Sequence, residues 1–433
     1  MLVFLSDVHL TDGSSGTTID PRAFGKLCRA LQDIIGEKPQ ESNIESVEIV
    51  LLGDIFDVIR SDFWLRPANS KKNPIRPWSG AQDVDSIGWG LQRYTEAIVD
   101  KIVNRPENVK AIGYLRTFQD HVREHGVNIK ISYIIGNHDW LINKYPSTRM
   151  KIAQFLNLPN PNFYEQNSFP YSCVFNNYKV LARHGDYYDS FNYEGDRDAS
   201  SIGDAIVIDL LNSFPEAVER DSLLCKNEAL CNRVKEIDNV RPILDIPAWI
   251  QGVCNEYPGV EERLHEIWNN MVKDFFSIQF VKDRGRMGFL KMALCLTSSF
   301  SFGRLKKILG NWIVRHFYNK SDDYKGYAYN EAALKSNSVR YVVYGHTHHA
   351  EQVALDTIQI PPKTVIEKMY FNTGTWRKVF EQTAFDTKKC KFIGWYVMTF
   401  VLFYLEEEKE KDRHYEVWSG SLDYGGYKVK SSY

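Results

Sequence analysis

Seven side chains able to hold a cation recur along this chain in five short motifs. The motifs are Asp7-x-His9, Gly53-Asp54-x-x-Asp57, Gly136-Asn137-His138-Asp139, Arg183-His184-Gly185-Asp186 and Gly345-His346-x-His348. Asp7, His9, Asp54, Asn137, His184, His346 and His348 offer two carboxylates, four imidazoles and one amide carbonyl. Such a mixed oxygen and nitrogen donor set suits Mn²⁺, Fe, Zn²⁺ or Co²⁺ better than Mg²⁺ or Ca²⁺. One carboxylate can bridge two ions, so seven side chains suffice for two sites that keep positions open for water. The pairs Asp7/His9 and His346/His348 are two residues apart. Both members of a pair reach one site only if the strand bends at its end. His138 is followed by Asp139, and a carboxylate near an imidazole raises its pKa and fixes its tautomer.

Each motif follows a short apolar run: Leu2–Leu5, Val47–Leu52, Ile131–Ile135, Val180–Ala182 and Tyr341–Tyr344. Runs of this length bounded by turn residues predict strands buried on both faces. Helix-period segments lie between the early strands, most clearly Pro21–Ile35 and Trp89–Val103. Strand–helix alternation predicts a layered α/β fold. In such folds ligands gather beyond the carboxyl ends of the strands, where every motif here falls. Residues 191 to about 335 break the pattern with long helical periods, as in Ala205–Leu211 and Val260–Phe276. They read as a mostly helical insertion, or cap, in a catalytic domain made of 1–190 and 336–433. Met369–Asn372, Gly394–Leu405 and His414–Ser419 are strand-like, and are expected to complete a second sheet packed on the first. The charge run Glu406–Lys411 reads as a solvated strand end or turn.

In order and in its glycines, the motif set resembles the signature of the calcineurin-like metallophosphoesterase family, spanning positions 7 to 348. The resemblance implies a β-sandwich flanked by helices (αββα), with the site at its strand ends. It implies two divalent metal ions, with Mn²⁺ the leading candidate. One ion would sit on Asp7, His9, Asp54 and His348, the other on Asp54, Asn137, His184 and His346, with Asp54 bridging. His138 would face the substrate phosphate or leaving group, oriented by Asp139. The expected activity is hydrolysis of a phosphoester or phosphoanhydride by water activated between the ions as a bridging hydroxide. Two cations a few ångströms apart clamp attacking and leaving oxygens in an in-line displacement. The helical insertion before Gly345-His346-x-His348 is also similar to that of the UDP-2,3-diacylglucosamine pyrophosphohydrolases, although here it is longer and the loop after Asp57 is expanded. The substrate class expected is thus an anionic nucleotide- or lipid-linked phosphate. A nuclease acting on nucleic acid is the rival reading, and a non-catalytic scaffold of the same fold a third. Such a scaffold would tend to lose His138 or a metal ligand, and here all are present.

Composition bounds these readings. The 433 residues carry a formal net charge of −2, with 43% hydrophobic and 25% charged residues. The whole molecule is therefore no electrostatic magnet for nucleic acid, and any basic site is local. Two segments are locally basic. Residues 58–80 hold Arg60, Arg66, Lys71, Lys72 and Arg76 among Trp64 and Trp78. Residues 281–320 hold nine lysines and arginines against the single acid Asp283. Arg60, Arg66, Arg304, Lys306 and Lys307 are the candidates for substrate binding. The apolar stretches Met287–Leu296 and Leu305–Phe317 make the second segment a basic amphipathic element, suited to an anionic ligand or peripheral membrane contact. Seven scattered cysteines without a CxxC pair argue against a disulfide framework or a thiolate zinc site. No run approaches the roughly 18 apolar residues of a membrane span, and a signal peptide is not expected, since Met1 to Leu5 read as the start of a strand. A cytoplasmic location is the expectation.

Overall fold

In a computed structural model the chain is a mixed α/β protein. The structure describes residues 1–36, 44–66, 74–284, 294, 320–360, 364–385, 389–408 and 414–422. Twelve strands are described: β1 (Leu2–Leu5), β2 (Ser46–Leu52), β3 (Asn128–Ile134), β4 (Ser172–Phe175), β5 (Val180–Arg183), β6 (Tyr341–Tyr344), β7 (Ala350–Ile360), β8 (Thr364–Thr373), β9 (Lys378–Gln382), β10 (Phe392–Tyr396), β11 (Met398–Phe403) and β12 (Tyr415–Gly420). They form two five-stranded sheets, ordered β12-β11-β1-β2-β3 and β4-β5-β6-β8-β7, and a β9-β10 hairpin. The motif-bearing strands lie parallel to one another within each sheet: β1, β2 and β3 in the first, β5 and β6 in the second, where β8 is also parallel to β6. Parallel neighbours end on the same side, so five strands deliver their motifs to one edge of the fold.

Alternation along β2 explains why its sequence is apolar throughout. Val50 and Leu52 face the second sheet, where they share a core with Val180, Val343 and Phe371. Ile49 and Leu51 point the other way, into the core under the helices. Between the sheets Phe4 meets Phe175 edge-on at 5.4 Å, and Tyr341 meets Phe403 at 5.1 Å. The two sheets therefore form a sandwich. Helix Arg22–Ile35 buries Ala23, Phe24, Leu27 and Leu31 in the outer core, and helix Leu91–Asn104 buries Ile98, Val99 and Ile102 there. A third helix, Pro106–Glu124, starts with Pro at a first-turn position, where its missing N–H leaves nothing unsatisfied.

Two expectations about the last hundred residues are corrected. Gly394–Leu405 is not one strand: β10 pairs with β9, whereas the fully buried β11 pairs antiparallel with β1. And β11 and β12 extend the first sheet, while β8 enters the second. The charge run begins as a turn, Glu406–Glu408, with Glu406 and Glu407 exposed; Glu408 alone is buried and pairs with the Met1 amine at 2.6 Å.

The described part of 191–335 is helical, including Ile202–Ile206, Ile246–Glu256 and Glu261–Phe275, with a π-turn at Val207–Asn212. Phe214, Trp249, Leu264 and Trp268 of this stretch belong to the same core as Val3 and Leu5. The insertion thus shares the main hydrophobic core. It also locks onto the loop after Asp57: Arg76 pairs with Asp209 at 2.7 Å, Asn212 Nδ2 donates to the Ile59 carbonyl at 3.0 Å, and Trp78 stacks on Phe280 at 4.3 Å. Arg304, Lys306 and Lys307, with Leu305–Phe317 and all of Met287–Leu296 but Leu294, lie outside the described residues, as do Lys71 and Lys72. Among the described residues no helix is long and apolar enough to cross a membrane.

Candidate metal centre

The bend that paired ligands require is present in the backbone. Asp7, His9, Asp54, His346 and His348 all adopt left-handed conformations, with φ of 53, 52, 52, 69 and 62°. A non-glycine residue is held there at a cost of order 1 kcal/mol or more, and such residues cluster at functional sites. Hydrogen bonds across the sheet edge hold the bends. The Asp7 N–H donates to the Gly53 carbonyl at 3.1 Å and the His9 N–H to the Asp54 carbonyl at 2.9 Å. The sheets are tied together at the same place, with His184 Nδ1 2.9 Å from the Leu52 carbonyl oxygen and Thr375 Oγ1 donating to the Asp7 carbonyl at 2.9 Å.

Two motif glycines are required by close approach. A Cβ on Gly136 would lie 2.3 Å from Asp54 Oδ1, and one on Gly345 would lie 2.7 Å from Asp7 Oδ2. Carboxylates occupy the space that side chains there would need.

The ligand atoms gather in two groups linked by a third. Asp7, His9 and His348 converge with their donor atoms within 4.8 Å of one another, and so do Asp54, His184 and His346. Asp54 also groups with His9 and His138, placing it between the two halves. In the first half, Nε2 of His9 and Nε2 of His348 face each other at 3.3 Å, and Asp7 Oδ1 lies 3.2 Å from the latter. In the second, His184 Nε2 is 3.1 Å from Asp54 Oδ2. Asn137 gives its amide N–H to Asn192 Oδ1 at 3.3 Å, which leaves Asn137 Oδ1 free.

These donors fit cations. Asp7 Oδ1, Asn137 Oδ1 and His184 Nε2 are buried without a hydrogen-bond partner. Buried polar atoms are otherwise nearly always satisfied, and three such orphans on seven clustered donors point to an ion as the missing partner. His9, His184 and His348 each aim a ring nitrogen at a carboxylate-lined gap, which is how imidazoles and carboxylates share a transition metal.

Considering the protein groups alone, the imidazoles divide. Burial pushes His9 down to about 4 despite the Asp57 carboxylate, and burial with the Arg241 charge holds His348 well below the ordinary imidazole range. Both are neutral at pH 7, as ligands must be. Burial would also lower His138, but Asp57 and Asp54 outweigh it and hold His138 up at about 9, so it is cationic at neutral pH. His184 is raised in the same way by Asp54 and Asp7.

Asp139 does not orient His138. Its carboxylate accepts the Gly136 N–H at 2.6 Å, the Ile55 N–H at 3.0 Å and the Tyr133 hydroxyl, so it braces the turn beneath Asn137. The cause is geometric: residue 138 presents its ring to the centre, while residue 139 points back under the turn. Asp57 takes the role instead, with Oδ1 2.9 Å from His138 Nδ1 and Oδ2 3.0 Å from His9 Nδ1. The signal for Asp57 was its fixed spacing after Asp54. Asp189, 3.1 Å from His346 Nε2, and Asn192, which receives Asn137, had no sequence signal.

The substrate candidates in the loop after Asp57 are also corrected. Arg60 has no exposed surface and pairs with Asp238 at 2.9 Å, its guanidinium turned into the protein and not toward ligand. Arg66 lies over the Phe63 ring at 3.5 Å and near Trp89 at 5.6 Å, stacked on its own loop.

No family model matches the chain, and no curated protein matches it significantly.

Proposed function

We propose that this chain is a binuclear metal-dependent phosphoesterase. The observation that carries the reading is the shared position of Asp54 between two groups of donors, with His138 held beside it by Asp57. On this reading Asp7, His9, Asp54 and His348 hold one divalent cation, and Asp54, Asn137, His184 and His346 hold the other. Mn²⁺ is the first choice, with Fe, Zn²⁺ and Co²⁺ as the alternatives of matching donor preference. When bound, the cations would supply Lewis acidity, a water acidic enough to attack near neutral pH, and charge to balance a phosphoryl group.

The protein's own groups do the rest. His138, held by Asp57, presents a protonated ring nitrogen to a phosphoryl oxygen or to the departing oxygen, and donates its proton there. Asp57 fixes the tautomer of His9 and holds the ring of His138, in each case through Nδ1, leaving each Nε2 to face the centre. Asn192 and Asp189 orient Asn137 and His346.

The test is metal analysis of purified protein equilibrated with Mn²⁺, alongside hydrolysis of an aryl phosphodiester and an aryl phosphate. His138→Ala is expected to retain its metal and to lose roughly 10²–10⁴ in kcat, the usual contribution of a general acid. Asp54→Ala is expected to lose metal from both halves. A wild-type protein that takes up no transition metal and cleaves neither ester would overturn the reading.

A further inference from the structure

The end of β8 carries neither histidine nor carboxylate, yet it holds Asp7 by main chain and by side chain. β8 lies parallel to β6, so its carboxyl end reaches the same edge as the motifs. There the chain reads Asn372-Thr373-Gly374-Thr375-Trp376. Asn372 Nδ2 donates to the Gly345 carbonyl at 2.7 Å, and Asn372 Oδ1 receives the Gly374 N–H at 3.0 Å. Thr375 Oγ1 and the Trp376 N–H both donate to the Asp7 carbonyl, at 2.9 and 3.1 Å. One strand end thus fixes the backbone of Asp7 and the turn that precedes His346.

The Asp7 side chain is held through hydroxyls. Ser6 Oγ donates to Asp7 Oδ2 and lies 2.6 Å from Thr373 Oγ1. All three residues are fully buried. A hydroxyl has one proton, and an ionised carboxylate only accepts. Ser6 gives its proton to Asp7, so its bond to Thr373 forms only with Thr373 as donor. The rival acceptors lie farther off: the Tyr344 carbonyl is 3.3 Å from Thr373 Oγ1, and the Gly374 carbonyl is 3.4 Å from Ser6 Oγ. The order is therefore Thr373 to Ser6 to Asp7. Asp7 Oδ2 also accepts the His346 N–H at 2.9 Å. Asp7 Oδ1 has no hydrogen-bond partner, and lies 3.2 Å from His348 Nε2 and 3.9 Å from His9 Nε2. One oxygen of Asp7 is saturated by the protein, and the other faces the imidazoles.

We propose that Ser6 and Thr373 are positioning residues, a hydroxyl relay that saturates Asp7 Oδ2 and commits the carboxylate to hold its cation through Oδ1. This rests on the reading of Asp7 as a metal ligand and deepens it, because the relay acts on one half of the centre. Among the described residues neither hydroxyl contacts Asp54, Asn137 or His184. A carboxylate with both oxygens free can bind through one or both of them. With one oxygen saturated it keeps a single orientation, as hydrogen bonds behind metal-binding carboxylates commonly enforce. The relay also adds a reason for Gly345: a Cβ there would lie 2.3 Å from Ser6 Oγ, in the space the hydroxyl needs.

Three variants of the full chain test the relay. Ser6→Ala removes the donor to Asp7, Thr373→Val removes the first proton of the relay, and Thr373→Ser keeps it. Each is titrated with Mn²⁺ by calorimetry, and the visible absorption of its Co²⁺-loaded form is recorded. Ser6→Ala is expected to weaken one Mn²⁺ site about tenfold to a hundredfold, the usual effect of removing a support behind a metal ligand, with the other site nearly unchanged. Thr373→Val weakens the same site by about twofold to tenfold, as the loss of one neutral hydrogen bond does, and Thr373→Ser retains wild-type affinity. The Co²⁺ absorption of Ser6→Ala falls, because the freed Oδ2 adds a ligand and Co²⁺ absorbs less strongly as its coordination number rises. If Ser6→Ala does not fold, the two Thr373 variants decide. Wild-type affinity at both sites of Ser6→Ala, equal weakening of both, an unchanged Co²⁺ spectrum, or equal affinities in Thr373→Val and Thr373→Ser each overturns the relay and leaves the phosphoesterase reading standing. Wild-type protein that takes up no transition metal overturns both.

Discussion

Replacing Asp57 with Asn tests the centre at its least visible support. Asp57 is fully buried and its two oxygens are divided. Oδ1 receives the Arg60 N–H at 3.1 Å and lies 2.9 Å from His138 Nδ1; Oδ2 lies 3.0 Å from His9 Nδ1. Asparagine fills the same volume but exchanges one acceptor for an NH₂ donor. With its oxygen toward His138 and Arg60, its NH₂ meets His9 Nδ1. His9 keeps that contact only by accepting there, which moves its proton to Nε2, the nitrogen that faces His348 at 3.3 Å. In the opposite orientation the NH₂ meets the Arg60 N–H and His138, and a buried donor is left unsatisfied. Either way the carboxylate beside Arg377 is lost. A buried charge-assisted hydrogen bond is worth roughly 1.5–3 kcal/mol, and supports behind metal-binding histidines are typically worth about tenfold to a hundredfold in metal affinity. The two figures agree. Mn²⁺ titration of Asp57→Asn should therefore show one site weakened by about that factor and one nearly unchanged. Asp139→Asn, which touches backbone rather than His138, should lower the melting temperature with less effect on the His9 half. The reasoning fails if Asp57→Asn binds two ions as tightly as the wild type, or if Asp139→Asn alone weakens the His9 half.

Two further outcomes follow from the same geometry. Gly136→Ala places a Cβ 2.3 Å from Asp54 Oδ1 and 2.6 Å from the Asp54 backbone nitrogen, so the shared ligand must move; a stability loss of roughly 1–3 kcal/mol and metal loss from both halves are expected, and a variant with wild-type metal content refutes this. Burial raises Asp204 to about 6, above its value in an unfolded chain, so its contribution to stability is full below the unfolded value and is lost as pH rises through about 6. Its Oδ2 accepts from Ser200, the Ser201 N–H and Trp140, bonds that an amide oxygen can keep. The gain in melting temperature on acidification from pH 7.5 to 5 should thus be smaller in Asp204→Asn than in the wild type, and equal gains would refute the assignment.

The centre was legible because its residues obey two rules at once. Each candidate ligand follows an apolar run, and each run is a parallel strand, so residues as distant as 7 and 348 had one place to meet. What sequence could not supply were the contacts made sideways. Asp57 and Asp139 both stand within three residues of a ligand, and adjacency favoured Asp139; the turn at Gly136–Asn137 reverses that preference by directing Asp139 toward the Gly136 and Ile55 N–H groups. Arg60 and Arg66 looked like substrate arginines because a basic, aromatic loop has the same composition whether it grips a ligand or its own protein. Trp64, buried with its indole N–H on the Val58 carbonyl at 2.9 Å, belongs to the second case, and the arginines go with it. The break between β10 and β11 is likewise a tertiary decision: Ile393 and Val401 are similar in hydropathy, but only the second pairs with β1, opposite Phe4.

The insertion presents the same lesson at larger scale. Its helices were readable from their period. Its relation to the centre was not, because that relation runs through an Asp-Asn-Val-Arg turn with no periodicity. Asp238 and Arg241 sit in that turn. One binds Arg60 and Arg377 from the flanking parts of the chain, and the other joins the turn to β9 through the Phe380 carbonyl. Removing the insertion would thus take the Asp238 carboxylate from two buried guanidiniums, Arg60 and Arg377. Unpaired buried charge is among the most destabilising changes a core can suffer. The helical segment is a structural part of the floor beneath His9 and His138, joined to it through Asp238, Arg377 and Asp57.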